Sequence, residues 1–330
     1  MAILVLGGAG YIGSHMVKQL VGEGREVVVV DNLSTGHREA LDSRARFYEC
    51  DCRDKAALEK VFAAEDITTV MHFASFSVVP ESVRDPLRYF DNNVISAIVL
   101  LEVMVAHDVK QVIFSSTAAT YGQPEIIPIV ENTQQSPINP YGDSKLMIER
   151  LLTAADHAYG IRSFILRYFN VAGASADGTI GEDHTPETHL IPIVLQVALG
   201  QRDHIDMMGN DYDTPDGFNV RDYLHVDDLI SAHSLALNYL EDGGKSEQVN
   251  LGSSTGFSVQ EIVAAAREAT GHPIPSRIAP RRGGDPDILV ADANKARQIL
   301  GWVPQYDDIV AIISSAWRWH ESHPNGYKSK

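Results

Sequence analysis

Cysteine is scarce in this sequence, which contains only Cys50 and Cys52. One residue separates the two, which is too short a spacing for an ordinary disulfide framework, and no second cysteine pair exists to complete a metal site. The sequence therefore predicts neither a disulfide-stabilised secreted domain nor a bound metal. The same cysteine usage indicates the reducing cytoplasm.

Basic residues are also few, with 27 lysines and arginines against 44 aspartates and glutamates, a formal net charge of −17. Such a surface repels phosphate backbones and anionic lipids, so we predict no nucleic-acid and no membrane partner. No stretch reaches the roughly 20 apolar residues of a membrane span, and the apolar run at 2–6 lacks a preceding basic region. An anionic ligand would need a locally basic site.

What the sequence does contain is an alternation of short β-branched runs with helical patterns, in a chain of 330 residues that is 44% hydrophobic. Regularly spaced strands with helical crossovers predict a doubly wound, parallel Rossmann sheet of the α/β class. The predicted strands are 3–6, 27–30, 46–49, 69–73, 111–115 and 163–167, and the predicted helices are 12–23, 55–64, 93–107 and 144–159.

This alternation stops after residue 170. Glycine and proline punctuate the segments 173–188 and 209–219, and helical patterns follow at 227–240, 259–270 and 309–319. We therefore expect a smaller C-terminal substrate-binding lobe. The predicted boundaries are 1–170 for a dinucleotide-binding domain to which the chain returns around 222–252, and 171–221 with 253–330 for the lobe.

A glycine-rich turn follows the first strand, with Gly7, Gly10 and Gly13 at the spacing that lets a pyrophosphate approach a helix N-terminus. The second strand ends at Asp31, where a carboxylate can accept both hydroxyls of an adenosine ribose and repel a 2′-phosphate. No arginine follows in Asn32 and Leu33, which favours NAD over NADP. Asp51, after the third strand, is predicted either to contact the adenine or to cap a helix.

Tyr141 and Lys145 are four residues apart, on one face of a helix that begins after Asn139-Pro140. A buried lysine and a nicotinamide charge would lower the pKa of the phenol and make it a base near neutral pH. A surface pair is the alternative. Thr117, at the end of a predicted strand, would bring a hydroxyl to the edge of the sheet where ligands of such folds bind.

These motifs occur in the same order as in the UDP-glucose 4-epimerases of the extended short-chain dehydrogenase/reductase family, and the chain resembles that family over nearly its whole length. Individual motifs are shared across the superfamily, but those of the second lobe distinguish the UDP-glucose 4-epimerases from its other members. The matching segments are 7–13, 31–33, 72–74, 91–93, 114–122, 141–145, 167–170, 219–226, 279–286 and 317–320.

The resemblance implies reversible inversion of C4 in UDP-glucose and UDP-galactose, through a 4-keto sugar, with tightly bound NAD. It makes Tyr141 the base and Thr117 the hydrogen-bond partner of the reacting hydroxyl. It makes Lys145 the residue that lowers the pKa of Tyr141 and binds the nicotinamide ribose. It also implies a homodimer through the helices 93–107 and 144–159. The NAD-contacting positions that it implies are Gly7, Gly10, Tyr11, Ile12, Gly13, Asp31, Asn32, Asp51, Cys52, Phe73, Ala74, Asn92, Lys145 and Phe169.

The resemblance further assigns UDP-sugar contacts to the second lobe, where two arginines would supply the positive charge that a diphosphate needs. His189 stands where asparagine is common in the family, and Met207 and Met208 match a uracil-contacting position but could simply pack. Leu289 would border the sugar and disfavour N-acetylated substrates. The implied contacts are Thr117, Tyr141, Asn170, His189, Met207, Met208, Arg221, Tyr223, Arg282, Asp285 and Leu289.

Three other functions are compatible with parts of this pattern. A 4,6-dehydratase needs acid and base groups after Thr117, but Ala118 and Ala119 stand there and cannot transfer protons. A 4-epimerase of another UDP-sugar, such as N-acetylglucosamine, glucuronate or xylose, stays open. A catalytically inactive NAD-binding regulator of the same fold is disfavoured because Tyr141, Lys145 and Thr117 are all present.

Overall fold

The computed structural model describes residues 1–281 and 285–327. The chain forms two compact units. The first contains 1–123, 131–167 and 230–249, and the second contains 124–130, 168–229 and the chain from 250 onward. The segment that returns to the first unit is thus 230–249, while 222–229 belongs to the second unit.

Strands and helices alternate through the first half of the chain, as its hydrophobic pattern predicts. In the described part of the chain the strands are β1 (Ala2–Leu6), β2 (Glu26–Asp31), β3 (Arg46–Glu49), β4 (Ile67–His72), β5 (Gln111–Thr117), β6 (Arg162–Tyr168), β7 (Asn170–Ala172), β8 (Ile205–Met208), β9 (Val220–Arg221), β10 (Tyr223–His225), β11 (Glu247–Leu251), β12 (Phe257–Ser258), β13 (Ser276–Ala279) and β14 (Ile288–Leu289).

In the described residues, the first helix begins directly after the glycine-rich turn. The helices in these residues are α1 (Tyr11–Gly22), α2 (Lys55–Ala64), α3 (Val79–Arg84), α4 (Pro86–Tyr89), α5 (Ser96–Ala106), α6 (Pro140–Tyr159), α7 (Leu190–Ala198), α8 (Val226–Glu241), α9 (Val259–Thr270), α10 (Asn294–Leu300) and α11 (Ile309–Ser322).

Seven strands form the central sheet in the order β11-β6-β5-β4-β1-β2-β3. The pairs from β3 to β5 are parallel, and the strand order reverses between β1 and β4, which is the doubly wound arrangement that the sequence predicts. Ligands of such sheets bind where the strand order reverses, at the carboxyl ends of the strands. The glycine-rich turn after β1 lies at this position.

Buried aliphatic side chains explain why these segments are strands. All five residues of β1 are buried, and Leu4, Leu6, Val28 and Val30 pack in one core with Phe114. The edge strand β11 was not predicted from the sequence. Its run Glu-Gln-Val-Asn-Leu contains three polar residues and lacks the continuous apolar character typical of a buried parallel strand. Only its last three residues are buried.

A continuous helical run from Pro86 to Ala106 contains a π-helical segment, Phe90–Ile95, between α4 and α5. Asn93 in this segment is buried and donates to Ser144 Oγ at 3.0 Å and to the Phe76 carbonyl at 3.1 Å, while accepting from the Phe76 N–H. The wider π-helical turn thus holds the Asn93 amide between Phe76 and Ser144. The run is apolar and long enough to cross a membrane, but α5 packs in the core of the first unit, so this is weak evidence for a span.

Helix α6 is attached to the sheet by a buried ion pair between Glu149 and Arg167. Arg167, on β6, donates two hydrogen bonds to the Glu149 carboxylate, at 2.9 and 2.6 Å. The same carboxylate accepts from Ser116 Oγ on β5 at 2.5 Å and from Gln135 Nε2 at 2.9 Å. Arg167 also donates to the Tyr121 hydroxyl at 2.8 Å. One network therefore connects α6 with both β5 and β6.

The second unit has a core of its own, built from α7, α9 and α11. Ile191, Leu195, Ile262 and Ile313 are among the buried side chains that meet there. Helix α9 begins with a capping box in which the Ser258 hydroxyl and the Glu261 carboxylate accept each other's backbone N–H groups. This unit also holds the small strand pairs β10-β7 and β13-β8 and the three-stranded sheet β12-β9-β14.

Arg167→Met should destabilise the protein by about 3–5 kcal/mol, because the buried Glu149 carboxylate would lose its cationic partner. Urea unfolding followed by far-UV circular dichroism measures the change. Adding Glu149→Gln to Arg167→Met should recover part of the loss, since the remaining side chain is then uncharged.

The matched control is Arg150→Met, which removes an exposed arginine from the same helix. We expect this variant to stay within about 0.5 kcal/mol of the unmodified protein. Equal effects of Arg150→Met and Arg167→Met would contradict the structural role of the buried pair.

Candidate functional site

The glycine-rich turn has a conformation that only glycines can supply at two of its positions. Gly7 has a φ of +76°, and its carbonyl accepts from the Gly10 N–H at 3.2 Å. A Cβ atom on Gly13 would lie 2.1 Å from the Gly7 carbonyl oxygen. Helix α1 begins at Tyr11 and Ile12, and among the described residues no side chain caps its N-terminus. Backbone amides at this helix start can therefore face a pyrophosphate.

Asp31 ends β2 beside this turn, where its buried carboxylate accepts from the Ala9 N–H at 3.0 Å and the Leu33 N–H at 2.8 Å. Burial raises the pKa of this carboxyl, although the two backbone donors oppose the rise. Each carboxylate oxygen can accept more than one hydrogen bond, so Asp31 keeps acceptor capacity for a ribose. This geometry fits the predicted role.

Asp51 lies next to Asn32, whose amide donates to its carboxylate at 3.1 Å. Hydrogen bonds from Arg53 hold the pKa of Asp51 well below its usual range. Asp54, and not Asp51, caps α2 by accepting from the Ala57 N–H. The capping alternative for Asp51 is therefore wrong. Cys52 is buried next to it, and burial raises the pKa of its thiol.

Phe73 and Ala74 follow β4 and donate their backbone N–H groups to the Leu6 carbonyl at 2.9 and 3.0 Å. A Cβ on Gly7 would lie 2.5 Å from the Ala74 nitrogen, so the two turns are in close contact. Asn92 donates its amide to Asn93 Oδ1 at 3.0 Å. The structure thus brings the ends of β1 and β4 together, and this part of the first unit fits an NAD dinucleotide.

Tyr141 stands in the first turn of α6. Asn139 caps this helix by accepting from the Gly142 N–H at 2.9 Å, and Pro140 occupies its first position. A Cβ on Gly142 would lie 2.5 Å from the Ala119 carbonyl oxygen, so the glycine lets the helix start approach the end of β5. As a result, the Tyr141 phenol lies close enough to Thr117 for that hydroxyl to oppose the rise in pKa that burial causes, and Lys145 on the same helix is buried. The surface-pair alternative is wrong.

Lys145 is 3% exposed, and its Nζ donates to the Ser115 carbonyl at 2.9 Å and lies 4.9 Å from the centre of the Phe114 ring. Burial lowers the pKa of Lys145 to about 7, partly opposed by Glu149. Burial also raises the pKa of Tyr141 to about 12, partly opposed by Thr117. We expected Lys145 to lower the tyrosine's pKa, but in the chain alone desolvation is the larger effect.

In the second unit, Arg221 lies on β9 in register with Leu289 on β14. Its guanidinium pairs with Asp285 and donates to the Pro286 carbonyl at 2.8 Å. Asp285 also accepts from the Tyr212 hydroxyl at 3.1 Å and from the Asn219 amide at 3.2 Å. Two predicted substrate residues, Arg221 and Asp285, therefore form an ion pair.

The other predicted substrate residues of this unit are spread over several elements. Asn170, on β7, donates its amide to the Asp222 carbonyl at 3.0 Å, and Tyr223 on β10 is buried, which raises the pKa of its phenol. Met207 and Met208 lie on β8, with Met207 buried in the core. Phe169 follows β6 and also belongs to the second unit. Arg282 lies outside the described residues.

His189 precedes α7 and is part of a cluster that the sequence analysis missed. Its Nδ1 is 2.5 Å from the Glu182 carboxylate, which outweighs burial and raises the pKa of His189 to about 9. His184 and Glu187 complete the cluster. Burial would raise the pKa of Glu182, but the two histidines hold it well below its usual range. The spacing Glu-x-His-x-x-Glu-x-His was the available signal.

The family model of the NAD dependent epimerase/dehydratase family matches residues 3–252. A UDP-glucose 4-epimerase of Lacticaseibacillus casei is 59% identical over 327 residues, which cover 99% of each chain.

Two solved structures are also similar over nearly their full length. A crystal structure of UDP-glucose 4-epimerase superposes with a TM-score of 0.98, at 56% identity and with 100% of both chains covered. The Bifidobacterium longum UDP-glucose 4-epimerase in complex with NAD+ and UDP gives a TM-score of 0.94 at 40% identity, covering 99% of this chain and 100% of the other. The chain therefore belongs to the NAD-dependent epimerase/dehydratase family.

Proposed function

We propose that this chain is an NAD-dependent epimerase that interconverts UDP-glucose and UDP-galactose by inverting C4 of the sugar. The observation that carries the proposal is the arrangement of Tyr141, Thr117 and Lys145, in which Lys145 is buried and bonded to the Ser115 carbonyl and the Tyr141 phenol lies near Thr117. It occurs in a chain that is 59% identical, over 99% of its length, to a named UDP-glucose 4-epimerase. The residues for proton transfer are thus present in the expected sequence context.

Tyr141 takes the proton from the sugar 4-hydroxyl, and Thr117 holds that hydroxyl by a hydrogen bond. Because burial keeps the proton on the phenol of the chain alone, its ionisation needs a positive charge nearby. When bound, NAD would supply the acceptor and later the donor of the C4 hydride, and a positive charge that favours the phenolate. Tyr141 would return its proton to the sugar oxygen when the keto group is reduced on its other face. Lys145, whose Nζ donates to the Ser115 carbonyl, would contact the nicotinamide ribose.

The first unit would hold NAD through its glycine-rich turn and the ends of the neighbouring strands. The amides at the start of α1 would bind the pyrophosphate, and Asp31 would bind the adenosine ribose. The first-unit residues proposed for NAD are Gly7, Gly10, Tyr11, Ile12, Gly13, Asp31, Asn32, Asp51, Cys52, Phe73, Ala74, Asn92 and Lys145, and Phe169 of the second unit is proposed as a further NAD contact.

The second unit would hold the UDP part of the substrate. Arg221 would have to exchange Asp285 for a phosphate, after which Asp285 can accept from the uridine ribose. This exchange keeps the guanidinium paired in both states, so the acidic chain still offers a cation to the diphosphate. Asn170, His189, Met207, Met208, Tyr223, Arg282 and Leu289 are the other residues proposed for the nucleotide sugar.

Another UDP-sugar is the principal alternative substrate. Leu289 is half-buried and in register with Arg221, and its branched end offers no hydrogen bond to an acetamido group. This supports a preference for UDP-glucose and UDP-galactose over their N-acetylated counterparts.

Cytoplasmic location and a homodimer are further parts of the proposal. Leu87, Ile95 and Met147 are exposed apolar residues that line one groove of the first unit, and Leu87 is 77% exposed. Exposed apolar clusters of this kind are typical of protein interfaces. The groove lies along the two helical segments for which the sequence predicts the dimer contact, so a second copy of this chain is the proposed occupant.

Tyr141→Phe should lower kcat for conversion of UDP-galactose to UDP-glucose by at least about a hundredfold, because the ring remains but the proton acceptor is lost. The stability of the fold and the content of bound NAD should not change. A coupled assay for UDP-glucose, together with circular dichroism and cofactor analysis, measures all three quantities.

Tyr159→Phe is the control, since Tyr159 ends the same helix and is exposed. It should turn over normally. Near-normal turnover of the Tyr141→Phe enzyme would show that another residue is the base and would refute the role proposed for Tyr141.

Leu87→Glu should weaken the proposed dimer, because it places a charge in the apolar contact. Sedimentation equilibrium should give twice the mass of one 36.2 kDa chain for the unmodified protein and a shift toward one chain for the variant. Val303→Glu, at another exposed apolar residue, is the control. A single-chain mass for the unmodified protein would contradict the dimer.

A further inference from the structure

The loop before α7 brings four possible metal ligands together. Glu182 Oε1 lies 3.2 Å from His184 Nδ1 and 2.5 Å from His189 Nδ1. Glu187 approaches the same two nitrogens, at 3.8 and 3.9 Å. One ligand atom from each residue lies within 4.8 Å of all the others. Both imidazoles therefore direct the same ring nitrogen toward the same two carboxylates.

The two carboxylates are buried, with the Glu182 side chain 4% exposed and the Glu187 side chain 3% exposed. Within residues 1–281 and 285–327, no lysine or arginine lies at ion-pairing distance from either carboxylate, and the two histidines are their partners. Two buried negative charges are costly unless they are compensated. A divalent cation between the four side chains would balance both.

The loop is fixed by contacts outside the cluster. The Tyr327 hydroxyl accepts from the Gly181 N–H at 3.0 Å and donates to the Gly181 carbonyl at 3.1 Å. The Tyr327 N–H donates to Asp183 at 2.9 Å, and a Cβ on Gly181 would lie 2.4 Å from the Trp319 ring. Supporting contacts of this kind orient the ligands of metal sites.

Glu187 is held in a second way, through its own backbone neighbours. Its Oε1 accepts from the Thr188 N–H at 2.7 Å and the His189 N–H at 2.8 Å. These bonds fix one oxygen and leave Oε2 on the side of His184. The carboxylate is therefore pre-oriented, so a cation would not have to order it.

We propose that Glu182, His184, Glu187 and His189 form a binding site for one divalent transition-metal ion, with zinc as the best match. Two imidazole nitrogens and two carboxylate oxygens suit zinc, and four ligands satisfy its tetrahedral coordination. Ligand atoms around four-coordinate zinc are about 3.4 Å apart, and the four distances in this cluster bracket that value. Magnesium and calcium prefer sites made of oxygen alone.

This site departs from the sequence-based expectation of no metal, which considered cysteine ligands only. Bound zinc would stabilise the loop that leads into α7. It would also occupy Nδ1 of His189 and leave Nε2 as the ring nitrogen available to a nucleotide. The site does not depend on the proposed epimerase activity, since its four ligands all lie within one loop of the second unit.

Zinc titration of the full-length, chelator-treated protein against a chromophoric competitor tests the proposal. We expect one zinc ion per chain, bound with submicromolar affinity, and a rise in Tm when zinc is added. His184→Asn should weaken binding at least about a hundredfold, since even supporting contacts of metal sites are worth about 10–100-fold. His157→Asn, on the exposed surface of α6, is the control and should bind zinc normally.

Cobalt provides a measurement that does not depend on a variant, because visible absorption bands of a four-coordinate ion should appear when Co²⁺ is added to the unmodified chain and disappear when zinc displaces it. This remains decisive if His184→Asn does not fold by circular dichroism. The proposal is overturned if the unmodified chain binds no zinc, or if it and a folded His184→Asn variant bind zinc equally. The cluster would then be an ion-pair network only.

Discussion

The buried pair of Glu149 and Arg167 is the interaction on which the geometry of the proposed catalytic residues depends. It connects the middle of α6 with β6, and through Ser116 with β5. Tyr141 and Lys145 are on α6, while Thr117 ends β5. Any shift of the helix along the sheet would move the Tyr141 phenol away from the Thr117 hydroxyl. The charged pair costs desolvation, so its benefit lies in fixing this relative position.

Much of the first unit was predictable because strands such as β1, β2 and β5 are short, almost wholly buried runs bounded by turn residues. Strand β3 was predicted with the observed bounds, and other strands differed by a few residues at their ends. The strand β11 and the π-helical turn at Phe90–Ile95 were not predicted. Their formation depends on tertiary contacts, such as the bonds of Asn93 to Ser144 and Phe76, which hydrophobic periodicity does not reveal.

The candidate site was predictable to a similar degree. Spacing alone placed Tyr141 and Lys145 on one helix face and gave the glycine-rich turn, because backbone conformation and helical period determine these features. It could not give the pKa values, since desolvation depends on every neighbour, and it missed the pairing of Arg221 with Asp285. The cluster around His189 was missed because Glu182 and Glu187 look like ordinary surface acids in the sequence, whereas the fold buries both side chains.

The most direct test of the central claim is whether the purified chain converts UDP-galactose to UDP-glucose without added NAD. An epimerase that returns the hydride to the same sugar consumes no cofactor, so its NAD can stay bound throughout. We predict conversion to an equilibrium mixture of both sugars, with dinucleotide released only after denaturation. Folded protein that converts UDP-galactose only when NAD is supplied, or not at all, would contradict the account.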